Sequence, residues 1–237
     1  MYYFNKVSKL LVFVGLFLIH FKVLSGSYEE FFKAVQFDNV RTVQTLLQRG
    51  FDPNTVNPEG VPALMLAVRE PSLKVAELLA SWPQTRTEVR NANDESPLML
   101  AALRGYLPLV KKLVANDADV NKPGWTPLHY AATGGHVAII EFLLDESAYI
   151  DAESPNGTTP LMMAAMYGSP EAVKVLIQAG ADLNLKNQLG MTALDFAVRG
   201  QRNNARELIE TGLSRLAERQ KRNLHLQQSP TEQPSSR

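Results

Sequence analysis

Bulky apolar residues return along this chain in blocks about 33 residues apart, and inside each block they fall at helical spacing. Ser96-Pro97-Leu98-Met99-Leu100-Ala101-Ala102 aligns with Thr126-Pro127-Leu128-His129-Tyr130-Ala131-Ala132. Thr159-Pro160-Leu161-Met162-Met163-Ala164-Ala165 and Thr192-Ala193-Leu194-Asp195-Phe196-Ala197-Val198 continue the series. Upstream, Pro62-Ala63-Leu64-Met65-Leu66-Ala67-Val68 is an earlier copy and Phe31-Phe32-Lys33-Ala34-Val35 a degenerate first one. The anchor position runs Phe31, Leu64, Leu98, Leu128, Leu161, Leu194, in steps of 33, 34, 30, 33 and 33. Each block predicts two short helices and a projecting turn. Thr126 is placed to cap the first helix, and Pro127 takes its first position, where a missing N–H costs nothing. Gly134 and Gly135 break the chain, and Val137, Ile140, Leu143 and Leu144 form one face of a second helix. In the next block Pro170 opens the second helix, Val173, Leu176 and Ile177 line it, and Gly180 ends it as a left-handed stop. Ala181-Asp182-Leu183-Asn184 then leads to a turn ending at Gly190.

These motifs resemble the ankyrin repeat, whose Thr-Pro-Leu-His-x-Ala-Ala, Gly-His and Gly-Ala-Asp-x-Asn signatures stand nearly intact between Trp125 and Asn184. The resemblance covers about residues 28–212 and implies an all-α repeat solenoid of six ankyrin repeats. Each would be a helix–turn–helix unit with a β-turn finger, and the stack would carry a concave inner face. Terminal copies are degenerate, as capping units that face water on one side should be. Two departures stand out. The step from Leu98 to Leu128 is three residues short, because Asn121-Lys122-Pro123-Gly124 replaces a longer finger beside Trp125. Repeat 2 ends in Ala80-Ser81-Trp82-Pro83-Gln84-Thr85-Arg86, without the usual glycine, and is one residue longer than the 33-residue period.

Residues 1–25 follow another pattern. Lys6 and Lys9 make a basic front, Leu10 to Ile19 is an unbroken apolar run of ten, and Val23, Leu24, Ser25, Gly26 and Ser27 follow. Crossing a bilayer takes about 20 apolar residues, so this reads as an export signal cut after Ser25 rather than a spanning helix. After Gly212 the pattern fades. Residues 213–237 read as a polar tail, in which Leu213 to Leu226 can extend a polar helix and Gln227 to Arg237 has the composition of disorder.

Charge narrows the partners. The 237-residue chain has 24 basic and 24 acidic residues, and removing residues 1–25 takes Lys6, Lys9 and Lys22 with no acid. Twenty-four less three leaves 21 basic residues against 24, a net charge of −3. That argues against attraction to nucleic acid or to anionic membrane. There is no cysteine and there are only four histidines, which excludes disulfides, thiolate metal sites and cysteine nucleophiles. His129, in the Thr-Pro-Leu-His position, and His136, in the Gly-His turn, are structural by the resemblance; His20 leaves with the signal and His225 lies in the tail. Asp117, Asp119 and Asn121 alternate like part of a calcium loop, but the required glycine and closing glutamate are missing. Asn156-Gly157-Thr158 and Gly134-Gly135 lack the strand–loop–helix setting of a phosphate cradle. No catalytic residue, metal site or cofactor is expected.

Recognition remains. The resemblance implies docking on the inner helices and fingers, through the residue before Thr-Pro and the two before the turn glycine. On this sequence those positions are Val61, Arg69 and Glu70; Glu95, Leu103 and Arg104; Trp125, Thr133 and Gly134; Thr158, Met166 and Tyr167; Met191 and Arg199. Arg69, Leu103, Arg104, Trp125, Met166, Tyr167 and Arg199 are the binding candidates, being of types enriched in interfaces. The expectation is a monomeric, non-catalytic binding module in the periplasm of a Gram-negative bacterium, holding another exported protein. The alternatives are an inhibitor or immunity-like regulator of an exported enzyme, and a secreted effector that binds host proteins.

Overall fold

The computed structural model describes residues 26–70 and 72–228. The expected export signal, residues 1–25, lies outside the described residues, as does the end of the polar tail, 229–237. Among the described residues there are twelve helices: α1 (26–36), α2 (Val40–Gln48), α3 (Ala63–Arg69), α4 (Leu73–Ala80), α5 (Pro97–Leu103), α6 (Leu107–Ala115), α7 (Pro127–Gly134), α8 (Val137–Asp145), α9 (Pro160–Tyr167), α10 (Pro170–Gln178), α11 (Ala193–Arg199) and α12 (Asn203–Gln228). They pair in order into six helix–turn–helix units, the all-α repeat solenoid expected. The described residues hold no strand, only an isolated antiparallel bridge between Val56 and Pro62.

Local chemistry sets the helix ends. Thr126, Thr159 and Thr192 cap α7, α9 and α11 through their hydroxyls. In each case the side chain three residues on, His129, Met162 or Asp195, reaches back to the threonine N–H and closes a capping box. Second helices stop on a left-handed residue at Gly50, Asp117, Ser147 and Gly180, with φ of 91°, 63°, 65° and 100°. Only glycine adopts that region without cost. Repeat 2 differs, as its missing glycine implies: α4 ends on Ser81 in right-handed geometry, and Trp82 N–H donates to the Leu79 carbonyl at 3.0 Å.

Packing follows the period. The anchors Phe31, Leu64, Leu98, Leu128 and Leu161 are buried, while Leu194, in the last repeat, is half-buried. The chain divides into two compact units, one running to Leu98 and including Lys111–Ala118, the other comprising Met99–Val110 and everything from Asp119. The division passes through α5 and α6. In the first unit α4 packs on α2 and α3, and Ser72 hydroxyl donates to the Gln36 carbonyl at 3.2 Å. In the second, α7 packs on α9 and α9 on α11, while α8 packs on α10 and α10 on α12. The alanine pairs Ala131-Ala132 and Ala164-Ala165 are fully buried there, which lets backbones approach closely. A Cβ on Gly168 would lie 2.4 Å from the Ala132 carbonyl oxygen, so only glycine fits. The turns are also stitched from one repeat to the next. His136 Nε2–H donates to the Leu103 carbonyl at 2.8 Å, Ser169 hydroxyl to the Gly135 carbonyl at 3.1 Å, and Arg202 guanidinium to the Gly168 carbonyl.

The polar segment after Gly212 is helical, as the reading of Leu213 to Leu226 as a polar helix allowed. The helix that begins at Asn203 runs to Gln228, so regular structure does not stop at 213. Ala205, Ile209 and Gly212 are buried in its first half. Beyond them the residues are mostly strong helix formers, Leu, Arg, Ala, Glu, Gln and Lys, which carry the helix on in water.

Candidate protein-binding surface

Five successive-repeat side chains of the second unit enclose an apolar pocket. Leu103 ends α5, Trp125 precedes the cap of α7, Tyr130 and Thr133 stand one turn apart on α7, and Met163 faces them from α9. The cavity is about 210 Å³. That is below the roughly 300–1,000 Å³ of sites that take whole small molecules, and it suits one inserted side chain. The Thr133 hydroxyl donates to the His129 carbonyl at 2.7 Å, and the pocket wall is mainly apolar.

The shortened finger places Trp125. Between Asn121 and Thr126 only four residues intervene, where seven separate Asp151 from Thr159 and Asn184 from Thr192. The fuller fingers close a turn, with Gly157 N–H on the Ser154 carbonyl and Gly190 N–H on the Asn187 carbonyl, each at 2.8 Å. Gly124 instead sits close to the neighbouring finger, 3.6 Å separating Pro155 from the place its Cβ would take. The Trp125 indole stands edge-on to the His129 ring, centroids 5.2 Å apart, and stays half-buried.

His129 anchors that indole and does no acid–base work. It is completely buried, its Nε2–H donates to the Thr158 carbonyl at 2.8 Å, and Nδ1 lies 2.9 Å from the Thr126 hydroxyl and 3.2 Å from the Thr126 N–H. Burial lowers its pKa from 6.5 to about 4, against the smaller opposing pull of the Thr158 and Ala152 carbonyls. At neutral pH the ring is uncharged, and both nitrogens are occupied. Asp195, the matching residue of α11, is held below the usual carboxylate range by the Thr192 N–H and hydroxyl at 2.7 and 2.8 Å. The alternating Asp119 and Asn121 are structural as well. Asp119 accepts the Asn121 N–H at 2.8 Å, while the Asn121 amide spans the next loop, donating to the Ser147 carbonyl at 2.9 Å and accepting the Tyr149 N–H at 2.8 Å. Among the described residues no three histidine or carboxylate side chains gather to hold a metal, and no helix is long and apolar enough to cross a membrane.

Of the candidates read from sequence, the structure brings Leu103 and Trp125 together. Arg104 follows Leu103 and is exposed. Tyr167 ends α9, one turn beyond Met163, and is 55 % exposed, while its neighbour Met166 is half-buried. Arg199 is exposed on α11, with its guanidinium 3.9 Å from the Met191 sulfur. Arg69, exposed at the end of α3, belongs to the first unit. Tyr130 and Met163 were not among the candidates. Their signal is a position that is bulky and apolar in five repeats, Leu66, Leu100, Tyr130, Met163 and Phe196, and half-buried in all five.

The sequence profile of ankyrin repeats, in three copies, matches residues 31–123, 64–154, 98–187 and 146–215. The chain belongs to the ankyrin repeat family. Ankyrin repeats are in general modules for protein–protein interaction. Relatives include the mouse ankyrin repeat and SAM domain-containing protein 6, 36% identical over 129 residues, 51% of this chain and 15% of that protein. The chicken nuclear factor NF-kappa-B p105 subunit is 32% identical over 161 residues, 65% of this chain and 16% of that one. The ankyrin chain therefore spans only a small part of these relatives' length. A solved ankyrin repeat domain from Acinetobacter baumannii superimposes with a TM-score of 0.67 at 24% identity, covering 76% of this chain and 96% of the other.

Proposed function

We propose that this ankyrin chain is a monomeric, non-catalytic binding module of a Gram-negative cell envelope, which holds a partner protein by taking one apolar side chain into the pocket at Trp125. The observation that carries the reading is that pocket: about 210 Å³, lined by Leu103, Trp125, Tyr130, Thr133 and Met163, beside a finger shortened by three residues. Arg104 and Tyr167 flank it as polar and aromatic contacts at the rim. The basic front and ten-residue apolar run of residues 1–25 support export to the periplasm with cleavage after Ser25. The net charge of the remainder supports a protein partner rather than nucleic acid or an anionic membrane.

A photo-crosslinking side chain at Arg104, introduced in the producing cell, tests the surface. A discrete adduct is expected, and Trp125→Ala should abolish it, since losing a central aromatic anchor weakens binding by roughly 2 kcal/mol or more. An adduct that survives Trp125→Ala and Met163→Ala together refutes the pocket. Fractionation with intact-mass measurement tests export separately: a soluble envelope species beginning at Gly26 supports it, and a full-length species in the cytoplasm overturns it.

A further inference from the structure

The last repeat carries a second surface, of different chemistry. Helix α12 has 26 residues, whereas α2 to α11 have seven to nine each. Where it crosses the end of α10 its backbone lies directly on the repeat: a Cβ on Gly212 would stand 2.7 Å from Leu183 Cδ1 and 3.6 Å from Ile177 Cγ2. Beyond that crossing a groove of about 500 Å³ opens between α10, the following loop and α12. Ile177, Leu183 and Leu216 supply its apolar floor, and Leu216 is 38 % exposed. Lys174 of α10 and Arg215 and Arg219 of α12 supply its charge, and no carboxylate lines it. All three cations are exposed, and among the described residues none of them makes an ion pair.

The charge is local. The whole chain balances 24 basic against 24 acidic residues, yet α12 beyond Gly212 carries Arg215, Arg219, Lys221 and Arg222 against Glu218 alone. Arg215 and Arg219 are four residues apart, one turn and about 6 Å along the helix. Lys174 stands across the groove from them on α10. Such an arrangement complements carboxylates spaced one helical turn apart on a partner, flanking an apolar stripe that covers Leu216. The floor is open along Leu216, which suits a helix laid across it better than an acyl chain drawn into a tunnel.

We infer that the groove between α10 and α12 docks an acidic amphipathic helix of a partner protein, with Lys174, Arg215 and Arg219 pairing its carboxylates. This surface shares no residue with the pocket at Trp125 and stands or falls separately from it.

Fluorescence anisotropy with the full-length protein tests this, using a labelled synthetic helix of leucine and glutamate with leucines on one face. A matched helix with lysine for every glutamate and vesicles of phosphatidylglycerol serve as the other probes. The glutamate helix is expected to bind, with affinity falling as salt rises. Arg215→Glu with Arg219→Glu should weaken it at least about tenfold and transfer binding to the lysine helix. Trp125→Ala should leave it unchanged. Both arginines are exposed, so circular dichroism should show the reversed variant folded, and the gain of lysine-helix binding cannot come from unfolding. Failure of the glutamate helix to bind, equal binding of both helices, or indifference to the charge reversal overturns the inference. So does binding to vesicles without binding to the glutamate helix, or sedimentation showing a dimer that the reversal dissolves, which would make the occupant a membrane or a second copy.

Discussion

Asp151→Asn should stabilise this protein at neutral pH. Asn121 bridges its repeat to the next with both ends of its amide, on the Ser147 carbonyl at 2.9 Å and the Tyr149 N–H at 2.8 Å. In the first unit Asn54 does the same with the Gln84 carbonyl and the Arg86 N–H, each at 2.8 Å. Asp151 takes the equivalent place between repeats 5 and 6, and accepts the Asp182 N–H at 3.1 Å. By the same register the carbonyl of Gly180 stands where those of Gln84 and Ser147 do, and an ionised carboxylate has no hydrogen to give it. Partial burial raises the Asp151 pKa above 3.8, the Asp182 N–H pulls it down, and the nearby Asp182 charge pushes it up again.

The asparagine restores one neutral hydrogen bond, worth about 1 kcal/mol, and for a chain of this size that is roughly 2–4 °C in Tm. The pH dependence has a definite sign. A carboxyl whose folded pKa is raised destabilises the fold while it is ionised, and that deficit shrinks as pH falls through the folded pKa toward 3.8. Protonated Asp151 also gains an O–H for the Gly180 carbonyl. The advantage of Asp151→Asn should therefore be present at pH 7.5 and largely gone near pH 4, read as the difference in urea midpoint between variant and parent. His129 destabilises both proteins equally in acid and cancels in that difference. A variant that is neutral or less stable at pH 7.5, or equally favoured at both pH values, refutes the reasoning.

Acid should itself weaken the parent through His129. Its folded pKa is lowered to about 4 from 6.5, so its contribution is complete above pH 6.5 and is lost as pH falls toward 4; the gap corresponds to about 3 kcal/mol. Urea titrations across that range should show the loss, and a flat profile would contradict a buried neutral imidazole. Leu161→Ala removes a fully buried side chain between α7 and α9 and should cost about 2–5 kcal/mol, measured by denaturant unfolding. Ser147→Gly relieves a left-handed residue at φ 65° and should raise stability by about 0.5–1 kcal/mol, while keeping the carbonyl that Asn121 uses.

What was legible in the sequence is what one repeat can express by itself. Thr126 with His129, and Thr192 with Asp195, are local pairs three residues apart, and both closed as capping boxes. Gly180 announced its left-handed stop, and the missing residues before Trp125 announced a short finger. The binding pocket is not local. It gathers side chains from positions 103 to 163, and the position that Tyr130 and Met163 occupy reads from a single helix as core, because it is apolar in five of the six repeats. Only the neighbouring repeat decides that such a side chain is half-buried rather than covered. The same holds for Asp151: alone it is an ordinary turn residue, and its pKa is raised by partial burial and by the Asp182 charge that the next repeat brings to it. The final helix was legible only in part: Leu213 to Leu226 reads as able to extend a polar helix, and α12 does run on through it to Gln228. The described residues from Ser214 to Asn223 are exposed, so the apolar period lapses after Gly212, and a lapse in periodicity resembles disorder unless helix propensity is weighed alone. In a repeat protein the sequence period specifies the unit, and the departures from that period, at Trp125, at Asp151 and beyond Gly212, are where this chain becomes individual.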